Sequence, residues 1–189
     1  MSFSILPEFS NSKIGNQITA IIKKKRFFCL GDTRHYPFAE TLLLAADFIY
    51  QFEEVLSRYP KKHKLLIISD RGPYSFLTYQ YLRIKQHSSC DLGNLKNWLN
   101  NIFLPIGFPN FVFLLISPIK DIKKRIEKGE GVILKKKDLL FIQRVQEEYL
   151  KVLKETPYSS YLILENQNGN FNLVKEKAIE VITKMTKQF

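Results

Sequence analysis

The sequence predicts an α/β fold in which a parallel sheet is flanked by helices. Four short apolar runs have the length of strands, and the last three are continuous rather than alternating, which is typical of strands covered on both faces of a parallel sheet. Helical patterns lie between the runs, and strands that alternate with helices imply right-handed crossovers. The predicted strands are Phe3 to Leu6, Leu65 to Ser69, Phe111 to Ile116 and Tyr161 to Leu164.

A long helix is predicted between the first two strands, from Ala39 to Leu56. Its apolar side chains recur every three or four residues, and it stops before Pro60 because a proline disfavours helix in the residue before it. The side chains expected to face the core are Leu42, Ala46, Ile49, Phe52 and Leu56.

Three further helices are predicted after the third strand. Ser117 is expected to cap the first of them, with Pro118 at the first helical position and the helix ending at Gly129. Asp138 is expected to cap the second, and the last runs from about Leu173 to Met185. The predicted core faces of these two helices consist of Phe141, Val145, Tyr149 and Val152, and of Val174, Ala178, Val181 and Met185.

Composition limits the class of protein. With 189 residues, 45% apolar content and no linker, the chain is expected to form a single domain, 1–189. Cys29 and Cys90 lie far apart, so neither a disulfide framework nor a metal site is expected. The chain starts without a signal-like segment, and no run reaches the roughly 18 apolar residues of a spanning helix, so a cytoplasmic protein without membrane contact is expected.

The formal charge of +11 and the pI near 9.6 favour anionic partners. Nucleotides, nucleic acids and acidic surfaces all remain open on charge alone. The densest basic stretch, 120–137, holds eight Lys or Arg against three carboxylates. A solvated surface is the simpler interpretation of such a run.

The second predicted strand ends in Asp70-Arg71, which places an acid and a strong phosphate ligand at the carboxyl edge of a sheet. This is where open α/β folds bind ligands, although an Asp-Arg pair can also simply end a strand. A phosphate loop of the type G-x-x-x-x-G-K-[ST] is absent from the sequence, because none of its eight glycines precedes a lysine.

Several segments resemble the thymidylate kinase family of nucleoside monophosphate kinases, in the family's order. The family has an Asp-Arg-Tyr motif followed by Ser and Ala-Tyr-Gln, and Asp70, Arg71, Ser75, Tyr79 and Gln80 match it without a gap. Further similar segments are Glu8 to Gly15, Glu40 to Asp47, Phe113 to Leu115, and Arg125 to Gly131 with the helix beyond it. The resemblance implies a fold like that of P-loop kinases, and it covers nearly the whole chain.

The resemblance also implies roles for individual residues. Asp70 and Arg71 would be catalytic, with Arg71 gripping a monophosphate, and Glu8, Ser75, Tyr79 and Gln80 would bind the substrate. Residues 128–138 would form a mobile lid, whose phosphate contacts would come from Lys135, Lys136 and Lys137. ATP and Mg²⁺ would be the cofactors of an active enzyme, an inactive one would need none, and a homodimer is implied.

The chain departs from the family pattern at several positions. Aligned on these segments, Met1 falls just before the family's second strand, so the first strand and the phosphate loop are expected to be missing. Either the strands beside that gap pair directly, or the true start lies upstream. In the substrate site, Phe48 stands for a phosphate-binding arginine, Leu44 for a base-stacking phenylalanine and Gly72 for a tyrosine.

Three functions follow as hypotheses. The first is dTMP kinase, which transfers the ATP γ-phosphate to dTMP to give dTDP. The second is an impaired or inactive family member that binds nucleotides or acts in assembly. The third is a basic nucleic-acid-binding module, which is disfavoured because no helix is expected to carry a clean basic stripe and no aromatic residues interleave with the basic runs.

Overall fold

Parallel strands and helices alternate along the chain, as predicted. The computed structural model describes residues 2–25, 36–59, 64–87, 89–131, 133–156, 159–166 and 171–187. Their elements, in chain order, are β1 (Ser2–Leu6), α1 (Lys13–Lys25), α2 (Pro37–Ser57), β2 (Leu65–Ser69), α3 (Pro73–His87), α4 (Leu92–Phe103), β3 (Phe111–Ile116), α5 (Ile119–Glu130), α6 (Lys136–Glu155), β4 (Ser160–Glu165) and α7 (Phe171–Lys187). The α/β class and all four strands are confirmed.

The chain divides into two compact units, 1–108 and 109–189. In the first unit β1 pairs with β2 in parallel, with Phe3 opposite Leu66 and Leu6 opposite Ser69. In the second unit β3 pairs with β4, also in parallel. The described strands thus form two sheets of two strands each.

The strands are more exposed than predicted. In the three strands with continuous apolar runs, Ile68 is 41% exposed, Leu115 is 55% exposed and Tyr161 is 40% exposed. Helix α2 packs against β1. Continuous apolar runs indicated burial on both faces, but a sheet of two strands is too narrow to be enclosed as a wide parallel sheet is.

Helix α2 exists as predicted, but the face assigned to the core is wrong. Leu42 is 53% exposed and Leu56 is 48% exposed. The buried residues are instead Pro37, Thr41, Ala45, Asp47, Gln51 and Val55. Apolar spacing failed here because three of these residues are polar and are buried with hydrogen-bond partners.

Two predicted helix caps shift by one to three residues. Pro118 is the N-cap of α5, so Ser117 lies outside the helix. Asp138 lies in the first turn of α6 and not at its cap, and its carboxylate accepts a hydrogen bond of 2.8 Å from the backbone N–H of Lys135. In the described part of the chain, no helix has both the length and the apolar character that a membrane crossing requires.

Three helices were not predicted, namely α1, α3 and α4. Helix α4 carried a readable signal, because Asp91 caps it by accepting a 2.7 Å hydrogen bond from the backbone N–H of Asn94. Leu95, Leu99 and Phe103 of α4 are all buried. Helix α3 begins with Pro73, which is favourable at the first helical position.

A buried carboxyl group fixes the loop between β1 and α1. Asp47 of α2 is 2% exposed and accepts hydrogen bonds from the Ser10 backbone N–H at 2.9 Å, from the Ser10 hydroxyl and from Gln51 Nε2 at 3.2 Å. The Ser12 hydroxyl in turn accepts a 3.1 Å hydrogen bond from the backbone N–H of Gly15. We name Ser10, Ser12, Gly15 and Asp47 the loop clasp.

Gly15 is required in this clasp because of a close approach. A Cβ atom added to Gly15 would lie 2.7 Å from the carbonyl carbon of Ser10. A shift of the Ser10 backbone would be costly, since Ser10 is 7% exposed and its backbone N–H is hydrogen-bonded to Asp47. A glycine is therefore needed at position 15 because of close packing, and not because of its backbone conformation.

We expect Gly15→Ala to lower the free energy of unfolding by about 1–3 kcal/mol, because overpacking a buried site forces a backbone shift. Gly129→Ala is the matched control, since a Cβ at Gly129 meets nothing within 4 Å and alanine is the better helix former. Denaturant midpoints followed by circular dichroism measure both effects. Equal midpoints for the two variants would show that the clasp tolerates a side chain.

Candidate functional site

The carboxyl ends of β1 and β2 bring three charged side chains together. The backbone N–H of Asp70 donates a 2.8 Å hydrogen bond to the carbonyl of Leu6, which ties the two strand ends to each other. Arg71 Nε then lies 2.9 Å from Glu8 Oε1. Sequence reasoning singled out all three residues, and the structure places them at one sheet edge.

Arg71 adopts an unusual backbone conformation. Its φ is +64°, and among the described non-glycine residues it is the one with a positive φ. A left-handed conformation costs an L-residue about 1–2 kcal/mol, and such strain persists where the surroundings impose it, often at functional sites. The peptide turns here from β2 into α3, and the turn directs the side chain towards Glu8.

The guanidinium of Arg71 also lies over the ring of Tyr79. Its central carbon is 5.3 Å from the ring centroid, which is within range for a cation–π interaction. Tyr79 lies two helical turns beyond Arg71 and is half-buried. We name Glu8, Asp70, Arg71 and Tyr79 the strand-end cluster.

Burial raises the pKa of Glu8 above its usual value, while Arg71 lowers it in part and Asp70 raises it further. The cluster remains open to solvent, because the side chains of Arg71 and Glu8 are 44% and 35% exposed. An accessible arginine oriented by a carboxyl group of perturbed pKa is typical of an anion-binding site.

The other substrate residues suggested by the resemblance lie on α3. Ser75 is half-buried in the first turn of that helix. Gln80 is 2% exposed, and its Oε1 lies 2.9 Å from the hydroxyl of Thr41 on α2. The structure therefore groups Ser75 and Tyr79 near the opening of α3, while the Gln80 amide is enclosed between α2 and α3.

Beside Gln80, a buried ion pair joins the same two helices. Arg83 Nη2 lies 2.6 Å from Glu40 Oε2, and their side chains are 9% and 17% exposed. Burial lowers the pKa of Arg83, and Glu40 opposes that effect. Removing one partner of such a pair costs about 3–5 kcal/mol because the other charge stays buried, so the pair fixes α3 against α2.

The structure explains one of the three departures from the family pattern. The Phe48 ring packs edge-on against Phe103, with centroids 5.4 Å apart, and Phe103 is fully buried. Leu44 is half-buried on α2. A Cβ at Gly72 would meet Ser69 Oγ at 3.7 Å and the Phe48 ring at 4.0 Å, both ordinary contacts. Phe48 therefore serves packing, whereas the structure does not explain the glycine at position 72 or the leucine at position 44.

The expected lid segment, 128–138, consists of the end of α5, a short loop and the start of α6, with Val132 outside the described residues. Lys135, Lys136 and Lys137 are all exposed. They belong to the second unit, whereas the strand-end cluster belongs to the first.

The sequence contains no phosphate-loop motif, and the described residues contain no cluster of three metal-ligating side chains. The donor set that is present, one arginine beside a carboxyl group and a tyrosine, suits a single anionic group of a ligand.

Sequence reasoning did not identify the loop clasp or the Glu40–Arg83 pair. Asp47 and Glu40 were recognised only as residues of a segment that resembles a family motif. Each interrupts the apolar pattern of α2, and that interruption was the available signal: a charged residue on a buried helix face needs partners.

Removing Arg71 should raise the pKa of Glu8 further, because the guanidinium favours the ionised carboxylate. We expect Arg71→Ala to raise this pKa and Asp70→Asn to lower it, as measured by NMR titration of the Glu8 side chain. Since the pKa is raised in the folded state, the folded protein binds this proton more tightly than the unfolded chain. The contribution of Glu8 to the free energy of unfolding therefore increases as pH falls through the folded pKa, and Glu8→Gln should abolish that increase.

Comparison with known proteins assigns the family. The family model described as thymidylate kinase matches residues 2–177. A thymidylate kinase from Sulfurovum sp. (strain NBC37-1) is 30% identical over 68% of this chain and 63% of its own length, so the match spans less than two thirds of that relative. A probable thymidylate kinase from Sulfurisphaera tokodaii is 23% identical over 90% of this chain and 77% of its own length.

A solved structure agrees in fold. The thymidylate kinase of Candida albicans superposes with a TM-score of 0.70 at 19% identity, covering 97% of this chain and 80% of the other. With the Asp-Arg strand end, the helix that follows it and a family match over nearly the whole chain, this protein belongs to the thymidylate kinase family.

Proposed function

We propose that the strand-end cluster binds the phosphate of a nucleoside monophosphate of the dTMP type. The observation that carries the proposal is Arg71, held in a left-handed backbone conformation between the Glu8 carboxyl group and the Tyr79 ring while 44% of its side chain stays exposed. Family membership supports the choice of ligand, since the relatives are named thymidylate kinases.

In this proposal Arg71 grips the phosphate through charge-assisted hydrogen bonds, for which the planar guanidinium is better suited than an ammonium. Glu8 and Tyr79 orient the guanidinium. Ser75 and Tyr79 lie one helical turn apart on α3, so the sugar and base would extend along that helix. The Gln80 amide already accepts a hydrogen bond from Thr41. Gln80 would therefore contribute to base recognition only if the base replaced Thr41 as its partner.

Phosphoryl transfer from ATP is a separate step of the proposal. That chemistry needs a cradle of backbone N–H groups, a lysine on the phosphates and a magnesium ion. Because the sequence contains no phosphate-loop motif, we propose that this chain by itself binds the acceptor nucleotide without phosphorylating it. The hypothesis of an impaired family member is thereby favoured over that of a complete kinase.

Calorimetry with dTMP tests acceptor binding. We expect measurable binding by the unaltered chain and a loss of about 10- to 100-fold in Arg71→Ala, which corresponds to one charge-assisted contact. Arg71→Lys should recover only part of the loss, because it keeps the charge without the planar fork. The matched control is Arg58→Ala, which removes an exposed arginine paired with Glu54 on α2.

A coupled ADP-release assay with ATP, Mg²⁺ and dTMP separates binding from catalysis. No turnover above background is expected. Turnover that Arg71→Ala abolishes would contradict the second step of the proposal, whereas equal dTMP binding by all variants would contradict the first.

Arg71→Gly should unfold at a higher denaturant concentration than Arg71→Ala, because glycine adopts the left-handed conformation without strain.

We also propose a homodimer formed through α2. Its exposed apolar side chains Leu42, Leu43 and Tyr50 are 53%, 37% and 43% exposed, and they lie on the side of the helix turned away from its polar buried face. A face of this kind on a soluble protein is typical of a protein–protein interface. The family resemblance supports a second copy as the occupant.

Light scattering after size exclusion tests the dimer. We expect twice the chain mass for the unaltered protein and the mass of one chain for Leu42→Glu, because a buried unpaired charge opposes association. Ile179→Glu on α7, which changes a residue that is 52% exposed, is the control and should stay dimeric. A monomeric unaltered protein would rule the interface out.

A further inference from the structure

Helix α5 exposes an unbroken set of cations. Among the residues of α5 whose side chains are described, the exposed ones are Lys120, Lys124, Arg125, Lys128 and Gly129. Lys120, Lys124 and Lys128 recur at intervals of four residues, so they follow one side of the helix with an axial step of about 6 Å. We name these three lysines the basic stripe.

Two carboxylates of α5, those of Asp121 and Glu127, are partly withdrawn from solvent beside the stripe, and the side chain of Glu130 lies outside the described residues. Glu127 is half-buried, and its Oε1 accepts a 3.2 Å hydrogen bond from the backbone N–H of Leu134. Asp121 is half-buried too, and its Oδ2 is shielded from solvent. Glu127 has a lysine neighbour, Lys123, at 3.9 Å, and Lys123 is not part of the stripe. Among the described side chains of α5, the exposed charges are therefore all positive.

Other described helices of the second unit differ from α5. The exposed residues of α6 include Leu140, Gln143 and Glu147, and those of α7 include Glu176, Ile179 and Glu180. Both helices therefore mix charges and apolar groups on their surfaces. The basic character continues from α5 only into the exposed Lys135, Lys136 and Lys137 at the start of α6.

We infer that the basic stripe binds the phosphate backbone of nucleic acid without base selectivity. Regularly spaced lysines act as point charges, which suits a chain of phosphates better than a single planar acid group. No aromatic side chain is exposed on α5, so the stacking that would confer base preference is absent from this helix.

A lipid surface fits the stripe less well. Helices that lie on membranes carry several large apolar side chains beside their lysines. The exposed face of α5 carries none, although Ile133 in the loop that follows is 83% exposed. The inference does not depend on the proposed function, because the stripe lies in the second unit and the strand-end cluster in the first.

Fluorescence anisotropy of the full chain with labelled duplex and single-stranded oligonucleotides tests the inference. We expect binding whose affinity falls steeply between about 50 mM and 200 mM salt, because counterions are released from each neutralised phosphate. The triple variant Lys120→Gln, Lys124→Gln and Lys128→Gln should make the logarithmic salt slope on duplex shallower by about 2–3.

The matched control neutralises three exposed lysines of α7, namely Lys175, Lys177 and Lys184, and should leave the slope nearly unchanged. An equal loss in both variants would show an effect of net charge alone and would overturn the inference. So would the absence of oligonucleotide binding, or tighter binding to vesicles of anionic lipid or to polyglutamate. Circular dichroism confirms folding, and unchanged dTMP affinity in the stripe variant keeps this test separate from that of the nucleotide site.

Discussion

The buried carboxyl group of Asp47 is the interaction on which the arrangement of the strand-end cluster depends. It lies on the inner face of α2 and accepts hydrogen bonds from the Ser10 backbone, the Ser10 hydroxyl and Gln51. Without such donors its burial would cost several kcal/mol, so the loop after β1 is held where it can supply them. Glu8 lies two residues before Ser10 in the same loop. The Asp47 carboxylate on α2 therefore sets the position of Glu8 and, through Glu8, the orientation of Arg71. Neither of these two residues lies on α2.

A second constraint reaches the cluster from β2. The hydrogen bond from the Asp70 N–H to the Leu6 carbonyl ends the pairing of the strands, and α3 starts at Pro73. Only two residues separate Asp70 from that proline, so the chain turns sharply and Arg71 takes a positive φ. The strain is offset by interactions that need an arginine: the pair with Glu8 and the stacking on Tyr79. An asparagine or glycine would relieve the strain and lose both contacts.

The strands, the α/β class and the pair Asp70-Arg71 could be predicted from the sequence, because apolar runs and a charged pair at a strand end are local signals. Glu8 and Tyr79 were indicated only by the family resemblance. The buried face of α2 could not. Its apolar residues occur on both sides of the helix, and the face with Thr41, Asp47 and Gln51 is buried because those side chains find partners elsewhere in the first unit. The spacing of apolar residues predicts which helix face buries apolar surface. It does not predict a face whose polar side chains are buried with hydrogen-bond partners from distant parts of the chain. The basic stripe escaped notice for the opposite reason: Asp121 and Glu127 interrupt it in sequence but are partly withdrawn from its surface in the folded helix.

The ligands proposed for the two units call for different chemistry. In the first unit one arginine is fixed by a carboxyl group, an aromatic ring and a strained backbone, so most of the entropy of ordering it is lost before a ligand arrives. Such preorganisation suits one small anion held in a defined orientation. In the second unit the three lysines of the basic stripe are exposed and spaced along α5, so their attraction is additive and has little directionality. That arrangement suits a long polyanion, for which many weak contacts replace one geometrically exact contact. A nucleotide site and a backbone-binding surface can therefore coexist in one chain without competing for the same residues.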